Sequence, residues 1–154
     1  MDRVAGRRTA LAQLAIALLA LLAGGMIYLL WRKDTLLMFA WVDAFGLLDP
    51  LGAVRHGVSA FSLPHWVVFS LPNALWLFSG LLILDAIWGS HRSVSRLLWS
   101  AALGLIAVGA EAGQALRVLP GTFDWQDVAL MALAGFCAIL FIATAKQQEG
   151  GQEA

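Results

Sequence analysis

The chain has 154 residues, 60% hydrophobic and 13% charged, with a mean hydropathy of +0.79. Soluble domains carry roughly 45–50% apolar and about 25% charged residues, so this composition excludes an ordinary soluble enzyme, a disordered chain and a disulfide scaffold, and indicates an integral membrane protein. Ten basic residues balance ten acidic ones, and Cys137 is the only cysteine. There is no electrostatic basis for a nucleic-acid partner, no intrachain disulfide and no multi-cysteine zinc site.

A helix needs about 20 apolar residues to cross ~30 Å of hydrocarbon. Residues 9–31 carry no charge and form the first candidate span. Arg3, Arg7 and Arg8 precede it as in a signal peptide. The apolar run continues well past the roughly 7–15 residues of a signal core, as in an uncleaved anchor.

Residues 32–65 are too many for a plain link. Leu36 to Leu48 is apolar, but as a helix it reaches only about 20 Å, and Asp43 sits in its middle. It reads as an interfacial or re-entrant helix. Asp49-Pro50 is a helix start, opening a second short helix near 51–59. The interfacial segment is thus 36–59.

Residues 66–88 form the second span, with Pro72 depriving the Val68 carbonyl of its helical partner. His91, Arg92 and Arg96 occupy the short connection that follows. Residues 97–119 form the third span, interrupted by Glu111 and Arg117, and 128–145 the fourth; the polar segment 147–154 reads as a frayed tail. Trp31, Trp66, Trp88 and Trp125 fall beside the ends of these runs, where interfacial aromatics sit. The expected fold is all-α: a polytopic membrane protein, a single domain over 1–154, built as a four-transmembrane-helix bundle with an interfacial or re-entrant helix between the first two spans. The basic residues near 3–8, 91–96 and 146 place both termini in the cytoplasm.

Polar groups within spans are costly and turn toward protein or water. Asn73, Asp85, Glu111 and Gln114 are such groups. Glu111 lies about 12 Å and Asn73 about 10 Å from the outer ends of their spans, at a rise of ~1.5 Å per residue. Gln114 shares a helix face with Glu111. Asp124 suits the N-cap of the fourth helix and Asp127 its N3 position. Asn73, Glu111 and Gln114 are therefore expected to converge in an outward-facing polar pocket beneath the 121–127 loop. Arg117 and His65 would come from the rim, and Asp124 and Asp127 would gate the pocket or hold a cation. The plainer reading makes Glu111 and Gln114 hydrogen-bonding pins between helices. Asp85, near the inner end, pairs with Arg92 or Arg96.

No metalloprotease, nucleophile-elbow, P-loop or dinucleotide-binding motif occurs. His56, His65 and His91 fall on two sides of the membrane, so no metal site, cofactor or catalytic residue is assigned. Gly24-Gly25, Gly80, Gly104 and Gly109 read as packing positions, as do Trp76 and Phe78.

Glu111-x-x-Gln114, a Pro-Gly turn, Asp124-x-x-Asp127 and Gly135 on the following helix resemble the signature of the VanZ-like family of small bacterial membrane proteins. Gly121-Thr122 stands where the family has a basic residue, and Met131 where it has Asn. The resemblance implies a bacterial cytoplasmic (inner) membrane location and a cell-envelope role, in a family linked with glycopeptide (teicoplanin) resistance. The expected function is binding of a membrane lipid or lipid-linked head group by Asn73, Glu111, Gln114, Arg117, Asp124 and Asp127. The alternative is a non-catalytic structural or assembly subunit, with a protein partner or a homo-oligomer in the membrane. An intramembrane enzyme using Glu111 as acid/base lacks a nucleophile, metal set or cofactor motif.

Overall fold

The computed structural model describes residues 2–88 and 93–151, with side chains over 9–88, 93–145 and at 147. It contains α1 (Asp2–Trp31), α2 (Leu37–Ala44), α3 (Leu48–Val58), α4 (His65–Phe69), α5 (Leu71–Trp88), α6 (Val94–Ala115) and α7 (Trp125–Gly151). No strand occurs among the described residues. Four stretches are long and apolar enough to cross a membrane: Thr9–Trp31, Leu71–Trp88, Val94–Ala115 and Trp125–Ala145. The protein is an all-helical, four-span membrane bundle.

Several boundaries differ from the sequence reading, each for a local reason. The apolar run 36–48 is not one helix. Gly46 adopts φ +67°, and its N–H donates to the Asp43 carbonyl at 2.8 Å while Leu47 N–H donates to Val42 at 3.0 Å. This left-handed stop suits glycine and ends α2. α3 starts two residues later, with Asp49 and Pro50 in its first turn. At 8 and 11 residues, neither helix is long enough to cross a bilayer. Leu37, Trp41, Phe45, Leu47 and Phe61 leave apolar surface exposed along this segment.

The expected span 66–88 breaks at Ser70. Pro72 has no N–H for the Val68 carbonyl, so α4 stops after one turn; in the first turn of α5 the missing donor costs nothing. α6 starts at Val94, earlier than the expected 97, because the Ser93 hydroxyl caps it by accepting from Arg96 N–H at 3.2 Å. It ends at Ala115 rather than 119. Arg117 takes φ +58°, Val118 N–H donates to Gly113 at 2.8 Å and Arg117 N–H to Gln114 at 3.0 Å. This is a Schellman stop with Arg at the residue usually given to Gly. Leu119 folds over Gly113, where a β-carbon would come within 2.8 Å of it. α7 begins at Trp125, before the expected 128, and runs to Gly151 through part of the expected tail. His91 and Arg92 lie outside the described residues, as do the side chains of Arg3, Arg7, Arg8 and Lys146.

α5 is the central helix, packed mainly against α1 and α7 and more lightly against α6. Ala17, Leu82 and Ala138 are fully buried where α1, α5 and α7 meet, surrounded by Phe78, Leu81, Ile83, Phe141 and Ile142. Small side chains here let the helix axes approach, the usual basis of close packing in lipid. Gly24 has the Trp76 indole against it, and Gly80 has Leu103. Gly25, Gly104 and Gly109 have open space where a β-carbon would be, so the packing expectation holds at Gly24 and Gly80 only.

The end where α1 starts is held by a polar cluster. Gln13 Nε2 donates to the Leu82 carbonyl at 2.9 Å and to Asp85 Oδ2 at 3.1 Å, while Arg96 pairs with Asp85 Oδ1 at 2.9 Å. Arg96 is one of the two arginines expected for Asp85; the other, Arg92, lies outside the described residues. At the other, distal end, Arg55 on α3 donates to the carbonyls of Leu29 and Arg32, serving the open C-terminus of α1. Trp31 Nε1 donates to Phe61 O at 2.9 Å. These bonds tie the α2–α3 segment to the bundle.

Candidate functional site

The distal ends of α6 and α7 build the site. Asp124 is the N-cap expected from the sequence: its Oδ1 accepts from Gln126 N–H at 2.8 Å. That cap fixes the start of α7 and makes Asp127 its N3 residue. Asp127, Met131 and Ala138 are all buried, a spacing that marks one core-facing seam of α7. Asp127 heads that seam, beside the positive end of the helix dipole.

Glu111 is the buried residue of α6. Its carboxyl group lies beside that of Asp127 and the main chain of Asp124. Glu111 Oε2 and Asp127 Oδ1 are buried and accept from no donor elsewhere in the described residues, while the two carboxyl side chains lie within hydrogen-bonding reach of each other. Two adjacent carboxyl groups sheltered from water repel when charged and leave acceptors unused. A proton shared between the two carboxyl groups relieves the repulsion, and a donor group from outside can satisfy the acceptors that remain.

The turn between α6 and α7 packs on Gln114, one turn along α6 from Glu111. Gly121 has φ +133°, and a β-carbon there would meet the Gln114 amide at 2.7 Å. Gln114 is thus held beneath Gly121, half-buried. The structure accordingly brings together Glu111, Asp124 and Asp127, with Gln114 under the adjoining turn. It does not join Asn73 to them by any hydrogen bond among the described residues; Asn73 is half-buried on α5. The depth argument treats two helices in isolation, and the rotation of α6 turns Glu111 toward α7. Arg117 is exposed and defines the stop of α6 through its backbone.

Asp127, expected from the sequence to gate the pocket of Glu111, lies directly against the Glu111 carboxyl group; the apolar seam through Met131 and Ala138 signals that it faces inward. The hydroxyls of Ser70 and Ser79, buried and unpartnered, were not singled out; they lie at the α4–α5 junction and midway along α5. Among the described residues, no group of three or more His, Cys, Asp and Glu side chains is arranged to hold a metal ion. No family model, curated protein or solved structure matches the chain.

Proposed function

We propose that this chain is a VanZ-like cell-envelope membrane protein that binds the head group of a lipid or lipid-linked amphiphile at its distal end. The observation that carries the reading is the buried Glu111–Asp127 carboxyl pair, whose Oε2 and Oδ1 atoms are supplied with no donor group from elsewhere in the described residues. Such a pair accepts hydrogen bonds, so it favours a head group presenting ammonium or hydroxyl donors. Gln114, under the Gly121 turn, adds an amide that can donate or accept. Location in a bacterial inner membrane with both termini cytoplasmic belongs to the same proposal, as does the family assignment through Glu111-x-x-Gln114 and Asp124-x-x-Asp127. Met131, in place of the family Asn, puts an apolar side chain one turn below Asp127 and narrows the polar site to its upper part.

The test is lipid co-purification with Glu111→Gln and Glu111→Ala, read by native mass spectrometry. Both variants should lose bound lipid relative to the parent protein, with Glu111→Ala losing more. Unchanged lipid in both rejects the proposal.

A second reading is an assembly subunit docking another polypeptide or a second copy. On α6, Leu98, Trp99, Leu105 and Ile106 are exposed, a face that lipid or a partner helix can cover. Cross-linking in native membranes separates the readings: a chain captured with no second polypeptide counts against a heteromeric subunit.

A further inference from the structure

Arg32 follows directly on the first span, Thr9–Trp31. Its guanidinium carbon lies 5.2 Å from the ring centroid of Tyr28 and 4.7 Å from that of Phe69. Both distances are within the range of a cation–π contact. The rings are themselves supported: His65 stacks on Phe69 at 4.2 Å, and Tyr28 packs against Trp76 at 5.5 Å. Residues of α1, α4 and α5 thus hold one guanidinium at the distal end of the bundle.

This cation is half-buried, and no carboxylate or carbonyl accepts from its N–H groups among the described residues. The ion pair found among the described residues is Arg96–Asp85, at the opposite end. Asp34 and Asp43, the nearest acids in sequence, form no salt bridge with it. Arg55 adds a second positive charge nearby, since it donates to the Arg32 carbonyl at 2.8 Å, but its own guanidinium is engaged there, at Leu29 and over Phe39. Lys33 is exposed beside it. Aromatic faces orient a guanidinium without using its in-plane donors.

We infer that Arg32 is a phosphate-binding site for a membrane phospholipid. A planar fork with free donors matches phosphate oxygens bidentately. The end of an apolar span sets it at the level of the head groups. Leu37, Trp41, Phe45 and Phe61, exposed on the adjoining segment, supply apolar surface for acyl chains, which a free phosphate ion would not use. The residues differ from the Glu111–Asp127 site, so this inference stands or falls independently of it.

The test compares retention of phosphatidylglycerol with that of a phosphate-free glucosyl-diacylglycerol on the detergent-purified full chain, by native mass spectrometry. Charge-assisted hydrogen bonds to phosphate should give the parent protein a preference of about tenfold or more for the phospholipid. Arg32→Gln should abolish that preference, and Arg32→Lys, which keeps the charge without the fork, should reduce it severalfold. Millimolar inorganic phosphate should leave the bound phospholipid in place. A preference undiminished in Arg32→Gln overturns the inference, as does displacement by inorganic phosphate, which would mark a free-anion site. If Arg32→Gln fails to fold, Arg32→Lys decides: an undiminished preference in that variant overturns it.

Discussion

Asp85 on α5 and Arg96 on α6 form an ion pair at 2.9 Å, and the second carboxylate oxygen accepts from Gln13 on α1 at 3.1 Å. One aspartate thereby links three helices at a single level. α6 is packed more lightly on α5 than α1 and α7 are, and this link is a polar attachment of α6 to it. Removing one member of a sheltered pair strands the other, whereas removing both with apolar replacements does not. Asp85→Leu and Arg96→Leu should each lower the thermal unfolding temperature in detergent. The double variant should be milder than the sum, with a coupling of about 1–3 kcal/mol. Additive effects would show that the pair contributes nothing beyond its separate side chains.

The close approach of α1 to α5 at Gly24 leads to a graded expectation. A β-carbon there would meet Trp76 Nε1 at 2.7 Å and the Pro72 carbonyl at 3.3 Å. The indole is itself packed against Tyr28 and has little room to move. Gly24→Ala should destabilise by about 1–3 kcal/mol through overpacking. Gly80→Ala should cost less, since its obstacle is the tip of the Leu103 side chain, which can rotate. Gly25→Ala, facing open space, should leave the melting temperature near that of the parent. A reversed order would refute this helix register.

Arg117 offers a test of whether its role is structural or ligand-binding. Its backbone sits at φ +58°, which costs a non-glycine residue roughly 1–2 kcal/mol. Arg117→Gly should therefore stabilise the protein by about 1 kcal/mol, less whatever the arginine side chain contributes. Arg117→Val should destabilise it. If Arg117→Gly also strips co-purifying lipid, the side chain belongs to the head-group site; if lipid is retained, the residue serves only the turn.

Orientation can be read by cysteine labelling in a Cys137→Ser background. Thr122 is exposed on the α6–α7 turn and Ser93 caps the opposite end of α6. With both termini cytoplasmic, an impermeant reagent outside intact cells should modify Thr122→Cys and spare Ser93→Cys. The reverse labelling would invert the assigned orientation, and labelling of both would refute the four-span topology.

Much of this protein was legible in its sequence because lipid imposes simple rules. Apolar runs of sufficient length, two of them interrupted by ionisable residues, marked the four spans, and the Asp124 cap and an arginine partner for Asp85 from among Arg92 and Arg96 followed from local chemistry. Helix ends were less legible. Gly46 and Arg117 stop their helices through left-handed backbone, and an arginine in that position carries no turn signal of its own. Leu119 reads as a continuation of the span until its contact with Gly113 shows that it has folded back.

Neighbourhood was decided by tertiary structure alone. Asn73 and Glu111 share a depth, but depth leaves open the rotation of each helix and the identity of its neighbour. Packing of the seam through Met131 and Ala138 turns Asp127 inward and sets it against Glu111. Likewise, Tyr28, Arg32, His65, Phe69 and Trp76 are scattered in sequence and become one stack only when α1, α4 and α5 meet. Residue order records hydrophobicity and local backbone preference directly. Which polar groups meet depends on helix rotation about the long axis, and that is determined by packing summed over the whole bundle.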